Sequence, residues 1–95
     1  IGLLYDPARA AEAGLCRLWQ ACLEDAAPGL RVRRNYPYTG KSDGFTAYLR
    51  RHFPPAAYLG IELEINQRQL EGGRRWRALR SQVIEALTRA LAEAR

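Results

Sequence analysis

The chain has 95 residues, with 15 Lys and Arg against 10 Asp and Glu and a formal charge of +5. That length fits one small domain with a modest core, because a domain of this size buries only roughly two-thirds of the surface its unfolded chain exposes. No apolar stretch approaches the roughly 20 residues that span a bilayer, no secretory signal pattern leads the sequence, and Cys16 and Cys22 lie on one helix, pointing in different directions, in no zinc or redox spacing. A soluble, cytoplasmic protein with reduced thiols and no membrane partner is the expectation.

The positive charge is mostly arginine. Lys41 is the sole lysine, while Arg31, Arg33 and Arg34, then Arg50 and Arg51, then Arg74, Arg75 and Arg77 form clusters. Such clusters admit an anionic partner. They fall in three separate elements without a nucleic-acid motif, so no nucleic-acid partner is expected. Methionine is absent and the sequence opens on the apolar run Ile1-Gly2-Leu3-Leu4-Tyr5, which reads as the middle of a fold. Residues 1–95 are therefore expected to form a single domain that is a fragment of a larger one.

After this first strand, Asp6-Pro7 predicts a helix start, with an N-cap side chain and a proline at the first helical position. The helix is expected to run to about Ala26 and to bury Ala11, Leu15, Leu18, Trp19, Cys22 and Leu23, and Pro28-Gly29 ends it. Leu30 to Arg34 alternates like a strand, with Leu30 and Val32 opposed to Arg31 and Arg33. It leads into Asn35-Tyr36-Pro37-Tyr38-Thr39-Gly40, whose turn formers and aromatics have the composition of a binding loop. Ser42 or Asp43 can cap a second helix from about Gly44 to Phe53, with Phe45, Tyr48 and Leu49 inward and Pro54-Pro55 as its stop. A strand over Ala57 to Ile65 follows. Gly72-Gly73 is a break, and a last helix from about Arg74 to Glu93 places Trp76, Leu79, Val83, Ile84, Leu87 and Leu91 on one face. Strands alternating with helices predict an α/β domain with a mainly parallel sheet covered by helices.

Chemistry concentrates in Ile61-Glu62-Leu63-Glu64-Ile65-Asn66, where alternation sets Ile61, Leu63 and Ile65 on one face and Glu62, Glu64 and Asn66 on the other. An interior strand of an α/β sheet is normally apolar on both faces. Two carboxylates there mean either an edge or solvated face, or a general base whose pKa is set by its surroundings. Arg34 and Asn35, with Tyr36 and Tyr38, can bind a carboxylate, since a guanidinium meets it bidentately while amide and phenol add directional hydrogen bonds. The plainer alternative is a loop packed by its tyrosines. His52, the single histidine, reads as a surface residue at a helix end. A catalytic zinc wants three protein ligands, so any such ion would need residues outside this chain.

Taken in order, Gly2-Leu3-Leu4-Tyr5-Asp6, Arg34-Asn35-Tyr36-Pro37-Tyr38-Thr39-Gly40, Asp43-Gly44-Phe45-Thr46 and Leu59-Gly60-Ile61-Glu62-Leu63-Glu64-Ile65 resemble the C-terminal part of the N-formylglutamate amidohydrolase family over nearly the whole chain. Of these motifs, Asn35-x-Pro37-Tyr38-x-Gly40 is the specific one. The resemblance implies the C-terminal portion of a phosphorylase/hydrolase-like fold similar to that of zinc carboxypeptidases and aspartoacylases: three α/β/α layers and a mixed sheet with flanking helices. It further implies a zinc-dependent amidohydrolase in which a zinc-activated water attacks an amide carbonyl beside a substrate carboxylate. Glu64 would be the general base, with Arg34, Asn35 and Tyr38 near the substrate. The family's zinc ligands come from upstream segments, so the chain alone is expected to be inactive. Where family members commonly follow Glu-Ile with an arginine and an acidic residue, this chain has Asn66-Gln67-Arg68-Gln69, so its substrate is expected to be a small carboxylate not necessarily identical to N-formylglutamate. The rival expectation is a non-catalytic scaffold, or an anion- or nucleic-acid-binding module whose arginine clusters engage the partner.

Overall fold

The computed structural model describes residues 1–42, 44–70 and 72–94, the side chains of Gln69 and Leu70 excepted. Three helices and a three-stranded mixed sheet make a small α/β domain. Strand β1 (Gly2–Leu4) is wholly buried at the centre of the sheet. Beside it run β2 (Arg33–Arg34), parallel, and β3 (Glu62–Glu64), antiparallel. The mainly parallel sheet read from the alternation of elements is thus corrected to a mixed one, as the family resemblance implied. Both outer strands are also shorter than their alternating patterns, because only the residues opposite Gly2–Leu4 find ladder partners.

Helix α1 (Ala10–Ala26) packs along α3 (Gly73–Glu93), and the core lies between them and the sheet. Leu3, Cys16 and Leu23 are fully buried there with Trp19, Leu79 and Val83. Ala86 and Ala90 let the two helices approach closely, and the Trp19 indole N–H donates to the Val83 carbonyl at 3.2 Å. The expected stripes are close but rotated. Ala11 is exposed while Glu12, Ala13 and Cys16 are buried, and Ile84 and Leu91 are exposed where Ala86 and Ala90 are not.

The first helix begins about one turn later than Asp6-Pro7 suggested. Asp6 Oδ1 accepts from the Ala8 amide at 3.0 Å, closing a turn over Pro7, and the helix starts only after Arg9. Helix α2 (Gly44–His52) has the expected length but not the expected orientation. Phe45 is 72% and Tyr48 50% exposed. The helix is anchored through Arg50 and Thr46 instead, as described below. Of its two candidate caps, Asp43 lies outside the described residues, and Ser42 ends a short 3-10 turn, Gly40–Ser42. No helix among the described residues is long and apolar enough to cross a membrane.

Candidate functional site

Register across the sheet places Gly2 directly between Arg33 of β2 and Glu64 of β3. Directly paired residues project their side chains from the same face of a sheet. The central one here has none, so Arg33 and Glu64 flank an open slot about two strand spacings, roughly 10 Å, wide at the backbone. A Cβ built on Gly2 would touch Glu64 Cβ at 3.6 Å and the Tyr36 carbonyl at 3.7 Å, so a larger side chain would fill this space. The resulting groove, about 490 Å³, is lined by Gly2, Arg31, Arg33, Tyr36, Glu64 and Asn66, among others. Arg33 stands over the Tyr36 ring, 4.6 Å from its centroid.

The next row belongs to the other face. Arg34 pairs with Leu3, which is fully buried. Its guanidinium donates to Gln20 Oε1 of α1 at 2.8 Å and to the Tyr5 hydroxyl at 3.0 Å. Arg34 therefore fastens β2 to the core side. Asn35 is equally committed: it sits at φ 51°, a left-handed conformation that asparagine tolerates, and its Oδ1 accepts from the Tyr5 amide at 2.9 Å and the Gly40 amide at 3.2 Å. The side chain closes the loop onto the end of β1. Gly40 completes the closure, since a Cβ there would meet the Tyr5 nitrogen and lie 2.5 Å from the Leu4 carbonyl carbon. Tyr38 projects from this loop, 66% exposed.

Of the residues singled out in the sequence, Glu64 lies in the groove. Arg34 and Asn35 build the loop beside it, and Tyr38 stands free in solvent. The edge position of β3 accounts for its two carboxylates lying outside the core. Glu62 is half-buried and accepts from Thr46 Oγ1 of α2 at 3.5 Å, whereas Glu64 is exposed, so the two carboxylates have different surroundings although they share a strand face. His52 packs on Tyr48, ring centroids 4.3 Å apart, away from the groove lining. Among the described residues no three His, Cys, Asp or Glu side chains converge in a way that could hold a metal ion.

Two residues escaped the sequence reading although they hold the site together. Glu12 is fully buried, and the Arg50 side chain is 6% exposed. Glu12 Oε1 accepts from Arg50 Nη2 at 2.9 Å and from the Asp6 amide at 3.0 Å, while Oε2 accepts from Arg50 Nε at 3.0 Å and the Gly60 amide at 2.8 Å. Arg50 also donates to the Gly40 carbonyl at 2.8 Å and the Gly60 carbonyl at 2.7 Å. Arg9 extends the network by donating to the carbonyls of Arg50, Phe53 and Tyr58. A fully satisfied buried pair of this kind specifies one arrangement: it fixes the end of the Asn35–Gly40 loop against the segment that enters β3. The available signal was the spacing of Glu12, Cys16, Trp19 and Leu23, which puts a carboxylate on the buried stripe of α1.

Both cysteines are buried and free. Burial pushes the Cys16 thiol up to about 12, Glu12 adding to the rise and Arg34 opposing it. The thiol therefore stays protonated at neutral pH, and since the thiolate is the nucleophile, iodoacetamide at pH 8 should modify Cys16 far more slowly in the native than in the unfolded protein. Unfolding would restore its ordinary value of 9.0. Between those two values the unfolded chain has lost the proton that the native state keeps, so stability should fall as pH rises through that window and be unaffected by this group below it. Cys16→Ala should flatten that alkaline slope in urea titrations, whatever it does to stability at pH 7.

Comparison of the chain with protein-family models, with curated proteins and with solved structures gives no match.

Proposed function

We propose that the chain is the C-terminal part of a cytoplasmic, zinc-dependent amidohydrolase of three-layer α/β/α architecture that cleaves an N-formyl or N-acyl amino acid such as N-formylglutamate. The observation that carries this reading is the row Arg33–Gly2–Glu64, in which a carboxylate and a guanidinium face one slot beside the motif loop Asn35–Gly40. In this proposal Glu64 takes a proton from the water that attacks the amide carbonyl carbon. It returns that proton to the nitrogen as the C–N bond breaks, so that a carboxylate and a free amine leave. The zinc would polarise the carbonyl and activate the water, and its ligands would come from outside these 95 residues. The loop's part is positional: Asn35 and Gly40 close the turn that sets Tyr36 in the groove.

The test is hydrolysis of N-formyl-L-glutamate and related N-acyl amino acids by the full protein. Turnover abolished by a chelator and restored by zinc is the expected result. No turnover on any of them, in a protein that binds no zinc, would refute the hydrolase reading. The commitment of Arg34 and Asn35 to loop structure also suits a second reading, a non-catalytic module in which Arg31 and Arg33 hold an anion. Polyanion binding that weakens steeply with salt, without turnover, would favour it.

A further inference from the structure

We infer that Arg33, not its neighbour Arg34, is the residue that docks the carboxylate of an acyl amino acid in this groove, with Tyr36 as its platform and Arg31 as a second cation beside it. The inference rests on the hydrolase reading for the reaction at Glu64 but not for the binding of the anion.

Alternation divides the arginines of this segment. Val32 is buried, and Arg34, two residues on, turns to the same side, where it is held by Gln20 and Tyr5. Arg31 and Arg33 face the opposite way, into the groove. Arg34 uses its Nε and Nη1 donors on the fold. By contrast, the Arg33 guanidinium donates no hydrogen bond to any described residue, and its one contact of note is the Tyr36 ring beneath it. Such a ring orients a guanidinium without using its donors, leaving the fork that matches a carboxylate. Arg31, two residues away, lies about 6.6 Å along the same extended face, close enough to share a ligand that bears two carboxylates.

Position across the sheet gives this pair its meaning. The roughly 10 Å between Arg33 and Glu64 at the backbone is spanned by a small acyl amino acid, so a ligand whose carboxylate rests on Arg33 lays its amide across Gly2 toward Glu64. A carboxylate docked on Arg34 would lie on the far face of the sheet, beside α1, where Glu64 cannot reach.

The experiment combines binding and turnover in the full protein. Glutarate is titrated calorimetrically against wild type, Arg33→Gln, Arg33→Lys and, as a control for net charge, Arg80→Gln, whose side chain lies exposed on α3. Because charge-assisted hydrogen bonds contribute roughly twice what neutral ones do, Arg33→Gln should weaken glutarate at least about tenfold, Arg33→Lys by less, and Arg80→Gln hardly at all. With N-formyl-L-glutamate as substrate, Arg33→Gln should raise KM by a similar factor and leave kcat within about threefold, as loss of uniform binding requires. Glutarate binding that is absent in wild type, or equal in wild type and Arg33→Gln, would overturn the assignment. The two readings fail separately. Arg33-dependent glutarate binding without hydrolysis removes the enzyme and keeps the anion site, whereas hydrolysis with unchanged KM in Arg33→Gln keeps the enzyme and removes Arg33 from it.

Discussion

Glu64→Gln is expected to lower turnover of an N-acyl amino acid by at least about a hundredfold, the usual range for losing a general base being about 10²–10⁴. The substitution keeps the size and shape of the side chain and removes only its capacity to take a proton. Little else should change. Glu64 is exposed on an edge strand, and no described residue donates a hydrogen bond to its carboxylate, so thermal unfolding should stay within about 4 °C of wild type, as for surface substitutions within about 0.5 kcal/mol. Glu62→Gln makes the comparison sharper. Glu62 shares the strand face but is half-buried and turned to Thr46 of α2, so its replacement should cost less turnover than that of Glu64. Equal losses at both positions, or full activity in Glu64→Gln, would take the base assignment away from Glu64.

The largest effect on stability is expected at Glu12. Glu12→Ala leaves the buried Arg50 guanidinium without its counter-charge and strips acceptors from the Asp6 and Gly60 amides. Breaking a buried ion pair from one side typically costs about 3–5 kcal/mol. Against a total of about 5–15 kcal/mol for a domain, that is a large fraction. For about 95 residues it corresponds to a fall in melting temperature of more than about 12 °C. The double variant Glu12→Leu, Arg50→Met replaces both charges by apolar groups and should lose clearly less than the sum of its single variants. Thermal melts of the four proteins decide the matter. Additive losses would mean that the two side chains act independently, contrary to the hydrogen-bond geometry.

The three helices were legible because their apolar residues recur at helical spacing and Pro28-Gly29, Pro54-Pro55 and Gly72-Gly73 mark their limits. What periodicity misplaced was orientation. Phe45 and Tyr48 look like an inward face, yet α2 is held by Arg50 and Thr46, polar anchors that leave no apolar signature. A parallel sheet was the natural inference from alternating strands and helices, and β3 runs the other way because it pairs directly with β1. Alternation put Glu62 and Glu64 on one strand face alike, and only the resemblance singled out Glu64, which lines the groove. Alternation likewise sets Arg33 opposite Val32, whereas Arg34 stands out for its place beside the aromatic loop and a guanidinium's match to a carboxylate. The role of Gly2 could not be seen locally at all, since its two flanking residues come from distant parts of the chain.

That last point bears on when the groove can exist. The central strand comes from the start of the chain, one flank from about a third of the way along it and the other from beyond its middle, while α1 must seat itself on α3, the last element. Pairings of such long sequence separation form slowly, because chain closure has to precede the contacts that reward it. A nascent or partly folded chain could therefore hold helical segments before it possessed the groove, and the Asn35–Gly40 loop, closed through Tyr5, belongs with the late pairings. The proposed anion binding would then be a property of the finished topology, and it should appear and vanish together with cooperative folding.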